Sequence, residues 1–97
     1  MVTYVMLLNW TDQGIKNVKD SPKRLDAVKK LAEKMGGEIT SFYMTLGDYD
    51  LVLTVAMPNN DKFAGFALKV GSLGNVRSTT LKAYSEDEYR RIIESLS

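Results

Sequence analysis

The chain has 97 residues, close to the size at which a polypeptide builds one hydrophobic core. Hydrophobic residues make up 44%, charged residues 26% and the net charge is +1, so it reads as an ordinary globular protein lacking the field that draws nucleic acid or an anionic membrane. Cysteine and histidine are both missing, which excludes disulfides, thiolate nucleophiles, zinc-thiolate sites, imidazole acid–base catalysis and most transition-metal sites; no metal or cofactor is expected.

Met1-Val2-Thr3-Tyr4 lacks the basic start and long apolar stretch of a secretory signal, and the apolar run Tyr4–Leu8 is far too short to span a membrane. A cytoplasmic location is the default expectation. Tyr4–Leu8 is continuously apolar rather than alternating, as expected of a central strand covered on both faces. Trp10 to Gly14 interrupts it, and Ile15 with Val18 predicts a short helix in the following loop.

Asp20-Ser21-Pro22 signals a helix start, with Ser21 as the cap and Pro22 at the first helical position. Leu25, Val28, Leu31, Ala32 and Met35 recur at spacings of three and four until Gly36-Gly37. The basic residues from Lys23 to Lys34 fall on the outer face of this helix and read as a solvated surface. Ile39–Leu46 reads as a strand, with Phe42, Met44 and Leu46 on one face and Ile39, Ser41, Tyr43 and Thr45 on the other. Leu51–Met57 is a second, more apolar strand ended by Pro58.

Pro58-Asn59-Asn60-Asp61 opens another helix, whose stripe is Phe63, Phe66, Ala67, Val70 and Leu73, with Gly74 as its stop. Val76–Tyr84 gives a more polar strand, expected near a sheet edge. Ser85-Glu86-Asp87-Glu88 is a capping box, with Tyr84 and Tyr89 placed for a hydrophobic staple, ahead of an apolar stripe of Tyr89, Ile92, Ile93 and Leu96.

The resulting order, β-α-β-β-α-β-α over residues 1–97, is an α+β, ferredoxin-like domain with an antiparallel four-stranded sheet and an added C-terminal helix. Its two main helices cover one face of the sheet, yet the first and third strands are apolar on both. The other face therefore needs a cover. A second copy of the chain, packed sheet to sheet about a two-fold axis, is favoured over the chain's own last helix.

Thr45–Thr54 places Gly47-Asp48-Tyr49-Asp50 between two apolar strands. Gly47 supplies positive φ and the aspartates favour local turn bonds, so a tight hairpin corner explains the motif. Asp48 and Asp50, with Cα atoms roughly 7 Å apart on an extended backbone, would otherwise form an acid–base pair if burial separated their pKa values. Asp50 beside an apolar strand requires a partner. The candidates are Arg24, Arg77 and backbone amides.

Thr11–Ile15, Ser21–Arg24, Gly36-Gly37, Phe42–Asp50 and Gly74–Thr80, taken in order, resemble the GYD-domain family, named for the triplet that is Gly47, Asp48 and Tyr49 here. The resemblance covers nearly the whole chain and implies a ferredoxin-like subunit assembling as a dimeric α/β barrel, with no established reaction. A fainter similarity runs to the effector-binding domain of leucine-responsive regulators, where such a hairpin helps bind small effectors at subunit contacts. The DNA-binding helix-turn-helix of those regulators has no counterpart in this sequence.

Three functional readings follow. One is a homo-oligomeric small-molecule-binding or sensing module, a homodimer or larger, with Trp10, Gln13, Asp48, Tyr49 and Asp50 lining the ligand site; each of these residues also has a plain structural role available to it. Another is a cofactor-free monooxygenase or isomerase using Tyr43, Tyr49 and Asp50, resting on fold analogy alone. The last is an assembly subunit with no ligand. RNA recognition is disfavoured, because Leu51–Val55 lacks the exposed aromatic and basic residues it requires.

Overall fold

The structure, a computed structural model, describes residues 1–96. Strand β1 (Val2–Trp10) is followed by a short helix α1 (Asp12–Lys16), a 3-10 turn (Val18–Asp20) and helix α2 (Ser21–Lys34). Strands β2 (Glu38–Met44) and β3 (Leu51–Met57), helix α3 (Asn60–Ser72), strand β4 (Val76–Ala83) and helix α4 (Glu86–Glu94) complete the chain. The strands form one antiparallel sheet in the order β2-β3-β1-β4. This is the expected α+β ferredoxin-like arrangement with its extra C-terminal helix.

The pairing register assigns every strand residue to a face. Leu8 opposes Leu51, Met6 opposes Leu53 and Tyr4 opposes Val55, and the β1 and β3 side chains of this set pack under α2 and α3. Met6, Val55, Met57, Ala32 and Phe66 are at most 1% exposed, and among the described residues no polar or charged residue is buried. Burying each of the Met, Val and Phe side chains stabilises the fold by about 1.5–3 kcal/mol through removal of apolar surface from water. The helical stripes supply the lid: Ala32 from α2, with Leu31 and Val28 against it, and Phe63, Phe66 and Val70 from α3. Tyr4 and Phe63 stack with ring centroids 3.8 Å apart, and the Tyr4 hydroxyl donates to Asn60 Oδ1 at 2.8 Å, fastening the start of α3 to β1.

Several local expectations change. Simple alternation sets Ile39 on the face opposite Phe42, but a bulge at Thr40 shifts the β2 register so that Ile39 pairs with Val55 and Phe42 with Leu53; both pack against the same core. An extra residue in one strand reverses the alternation, and Thr40 tolerates the position because its hydroxyl and that of Ser41 both reach Thr54. Ser21 is the first residue of α2 rather than its cap, and Asp20 at the cap makes no side-chain bond, because the 3-10 turn delivers a chain that is already helical. Leu46 lies beyond β2 and is 94% exposed, and Leu73 ends the α3 stripe 53% exposed.

The start signals at Asn59 and Ser85 form as expected. Asn59 accepts from the Lys62 amide at 2.8 Å. Ser85 and Glu88 form both bonds of the capping box, at 2.9 and 3.1 Å. The Tyr84 ring faces the Lys82 ammonium, 4.9 Å from its centroid.

The opposite side of the sheet carries Val5, Leu7, Val52, Ala56, Leu81 and Tyr43, by register. Leu81 is 51% and Tyr43 65% exposed. Helix α4 does not roof them, since Ile92 and Ile93 of its own apolar stripe are 44% and 51% exposed, and Leu96, expected in that stripe, lies past the helix end at Glu94 and is 75% exposed. The radius of gyration of 14.6 Å exceeds the about 13 Å of a compact chain this long, as expected when the last helix stands away from the body.

Candidate functional site

Most of the sequence motifs converge on one end of the sheet, where β1 finishes and β4 begins. Thr11 donates its hydroxyl to the Gly74 carbonyl at 2.6 Å, and its amide to the Asn75 carbonyl at 3.1 Å. The same hydroxyl oxygen accepts from the Gly14 amide at 3.1 Å, capping α1. Gln13 Nε2 donates to the Leu73 carbonyl at 3.2 Å and to Asn75 Oδ1 at 2.9 Å. Gly14 is buried so closely on Asn75 that a Cβ there would collide with the Asn75 backbone. Thr11-Asp12-Gln13-Gly14 and Gly74-Asn75 are thus two halves of one clasp.

Arg24, reaching from the first turns of α2, donates Nη1 to the Asn17 carbonyl at 2.8 Å and Nη2 to the Gly14 carbonyl at 3.1 Å. The ion pair among the described residues is Glu86–Arg90 on α4, so the Arg24 guanidinium has carbonyls but no carboxylate against it.

The Gly-Asp-Tyr-Asp corner is wider than a tight hairpin. Met44 and Leu51 are the last paired residues, leaving a six-residue loop from Thr45 to Asp50. It is closed by the Thr45 amide donating to the Asp50 carbonyl at 2.8 Å and the Thr45 hydroxyl donating to the Tyr49 carbonyl at 2.6 Å. Gly47 adopts φ of 125°, a conformation strained for other residues. Asp50 finds its partner in the backbone: its amide donates to the Leu8 carbonyl at 2.9 Å, and its carboxylate Oδ2 accepts from the Trp10 amide at 2.9 Å. The carboxylate takes the place of the next carbonyl in the β1–β3 ladder, at the point where the chain turns away.

The five sequence-selected site residues are therefore distributed as follows. Trp10 and Asp50 meet through that amide bond, Gln13 belongs to the clasp, Asp48 is exposed in the loop and Tyr49 is half-buried beside it. Trp10 is also a wall of an apolar cavity of about 60 Å³ between α2 and the sheet, together with Met6, Leu8, Arg24, Phe42 and Phe66. Its indole Nε1 is buried without a hydrogen-bond partner, a condition that costs about 1–3 kcal/mol. Sequence patterning gave Arg24 and Phe42 no role beyond partner and core. The cavity arises from how α2 crosses the sheet, and no residue spacing announces it.

Among the described residues no group of His, Cys, Asp and Glu is arranged to hold a metal ion, and no helix is long and apolar enough to cross a membrane. Glu88 has a lowered pKa, first through its bond to the Ser85 backbone amide and second through the Ser85 hydroxyl. It caps α4, far in sequence from the clasp.

The GYD domain model matches residues 4–93. The chain belongs to the GYD domain family. It is also 31% identical over 84 residues to a Thermus thermophilus protein named glutamine synthetase and cystathionine beta-lyase binding protein, the match covering 86% of this chain and 88% of that one. Among solved structures, the leucine response regulatory protein of Mycobacterium tuberculosis superposes with a TM-score of 0.65 at 15% identity, over 87% of this GYD chain and 51% of the regulator. A hypothetical protein from Pyrococcus horikoshii superposes with a TM-score of 0.58 at 22% identity, covering 89% and 93%. These two likenesses establish a shared fold; the GYD chain spans about half of the regulator.

Proposed function

We propose that this GYD protein is a non-catalytic binding module that works in the cytoplasm as a homo-oligomer, with a small-molecule site at the end of the sheet bounded by Trp10, Gln13, Asp48, Tyr49 and Asp50. The observation that carries the reading is the open apolar face formed by Val5, Leu7, Val52 and Leu81. An uncovered sheet face of this kind belongs to an interface, and a second copy brings the same flat surface in reverse, which is the self-complementarity a two-fold contact requires. Binding suits the geometry better than the monooxygenase or isomerase reading. Asp50 is committed to the Trp10 amide and Tyr43 stands largely in solvent on the rear face, so these groups do not converge on a common reacting centre.

Light scattering across protein concentrations tests the assembly. The expected result is a dimer or larger for the natural sequence and a folded monomer for Leu81→Glu combined with Val52→Lys. A natural chain that remains monomeric at micromolar concentration would refute it.

A second reading has its own support. The Thermus relative is named for binding two enzymes, and the exposed residues Tyr89, Ile92 and Ile93 on α4 offer an apolar helix face for an enzyme partner. Titrating purified glutamine synthetase and cystathionine β-lyase against the protein and against Ile92→Asp decides it: association lost in the variant supports the reading, and no association with either enzyme removes it.

A further inference from the structure

The cavity beneath α2 combines three properties that the fold does not require of one another. Its walls are carbon-rich, contributed by Met6, Leu8, Phe42 and Phe66. Trp10 on the same wall holds an indole N–H that is buried and donates to nothing. Arg24, half-buried, also lines it with a guanidinium whose two terminal nitrogens each make a bond to a backbone carbonyl and which among the described residues faces no carboxylate. A guanidinium has five N–H donors in a planar fork, so donors remain after the Asn17 and Gly14 carbonyls are served.

We propose that this cavity is a binding site within one subunit for a short aliphatic carboxylic acid, its hydrocarbon tip among Met6, Phe42 and Phe66 and its carboxylate on the free donors of Arg24. Size sets the class. An apolar cavity of roughly 150 Å³ holds a benzene ring, so one of about 60 Å³ encloses about two or three carbons. The rest of a chain of roughly five carbons runs toward Arg24, which lines the same cavity. Charge sets the head group, since a carboxylate matches the Arg fork and makes charge-assisted hydrogen bonds roughly twice as strong as neutral ones. The clasp of Thr11, Gln13, Gly14 and Asn75 acquires a purpose in this arrangement: it fixes the Gly14 carbonyl that orients Arg24 and the segment carrying Asn75, another residue of the cavity wall.

This inference rests on the binding-module reading and moves the ligand from the end of the sheet to a cavity inside the subunit, of which Trp10 alone among the five proposed site residues is a wall. Trp10 is the sole tryptophan, so its fluorescence reports on this wall alone. The full chain is titrated with pentanoate and, separately, with the uncharged pentanamide, while light scattering follows assembly in the same samples. Pentanoate is expected to produce a saturable change and to raise the melting temperature, with pentanamide at least about tenfold weaker. Arg24→Gln should reduce pentanoate affinity about tenfold and leave pentanamide unaltered, with Arg24→Lys between. Val28→Phe, which fills the cavity from α2, should abolish both responses while keeping or raising the melting temperature. Because Arg24 also tethers two carbonyls, Val28→Phe decides the matter if Arg24→Gln fails to fold. An absent saturable response to pentanoate, equal affinity for acid and amide, or undiminished binding in Val28→Phe overturns the assignment. Any of these in a sample that still assembles defeats the pocket and spares the oligomer, whereas a monomer that binds pentanoate does the reverse.

Discussion

The two faces of the sheet are built from the same strands by alternation, yet they differ sharply. Toward α2 and α3, Leu51, Leu53, Val55 and Met57 are all buried. On the other side Val52, Thr54 and Ala56 are only half-buried, and Leu81 is half in water. The covered face is a finished core; the open one is apolar without being packed. Burial follows from having a partner layer, and the helices that one chain supplies are enough for a single side. Periodicity reports which residues share a face and says nothing of what lies above it.

Deleting a side chain from the finished face should have the largest effect. Phe66→Ala removes a ring with 0% exposure and is expected to lower stability by about 3–5 kcal/mol, independently of protein concentration. Next comes the clasp, where Gly14→Ala drives a methyl group into the Asn75 backbone and should cost about 1–3 kcal/mol. Asp50→Ala deprives the Trp10 amide of its acceptor and should cost about 1–3 kcal/mol, with Asp50→Asn milder because its amide oxygen still accepts. Thermal or urea denaturation measures all three. Leu81→Ala on the open face should shift the melting temperature least, and by an amount that depends on concentration, because its contacts belong to the assembly. A Leu81 effect equal to that of Phe66 and independent of concentration would erase the distinction between the faces.

Helix α4 gives the most local response. The Glu88 carboxylate is held in its charged form by Ser85, so its folded pKa lies below the ordinary carboxylate value. Its contribution to α4 is therefore complete above the unfolded pKa and disappears as pH falls through the depressed folded one. Helical signal from α4 should fade on acidification in the natural chain and show a weaker pH dependence in Ser85→Ala, which also loses about 1 kcal/mol of local helix stability. Amide exchange over 86–94 reads both.

Much of this was legible in the residues. Strand and helix order, the stripes of α2 and α3, the Asn59 and Ser85 start signals and the positive φ of Gly47 each follow from local spacing or from the needs of a single backbone position. The face of Ile39 did not, because a bulge changes the count of residues without a distinct signal in the sequence. Asp50 was recognised as needing a partner, and backbone amides were among the options, but choosing the Trp10 amide over Arg24 requires knowing that β1 and β3 are neighbours. The cavity and the unused donors of the Arg24 guanidinium depend on where α2 sits over the sheet, a long-range property that patterning leaves open.

The Thr45–Asp50 lock has a practical corollary. Since the base of the loop is bolted by two hydrogen bonds and the Asp50 carboxylate, the tip from Leu46 to Asp48 is mechanically insulated from the strands, and Leu46 is 94% exposed. Doubling the loop length costs only about 0.6 kcal/mol in closure entropy, so a foreign peptide spliced after Gly47 should be carried with little loss of melting temperature. That makes the corner a natural mounting point for displayed sequences.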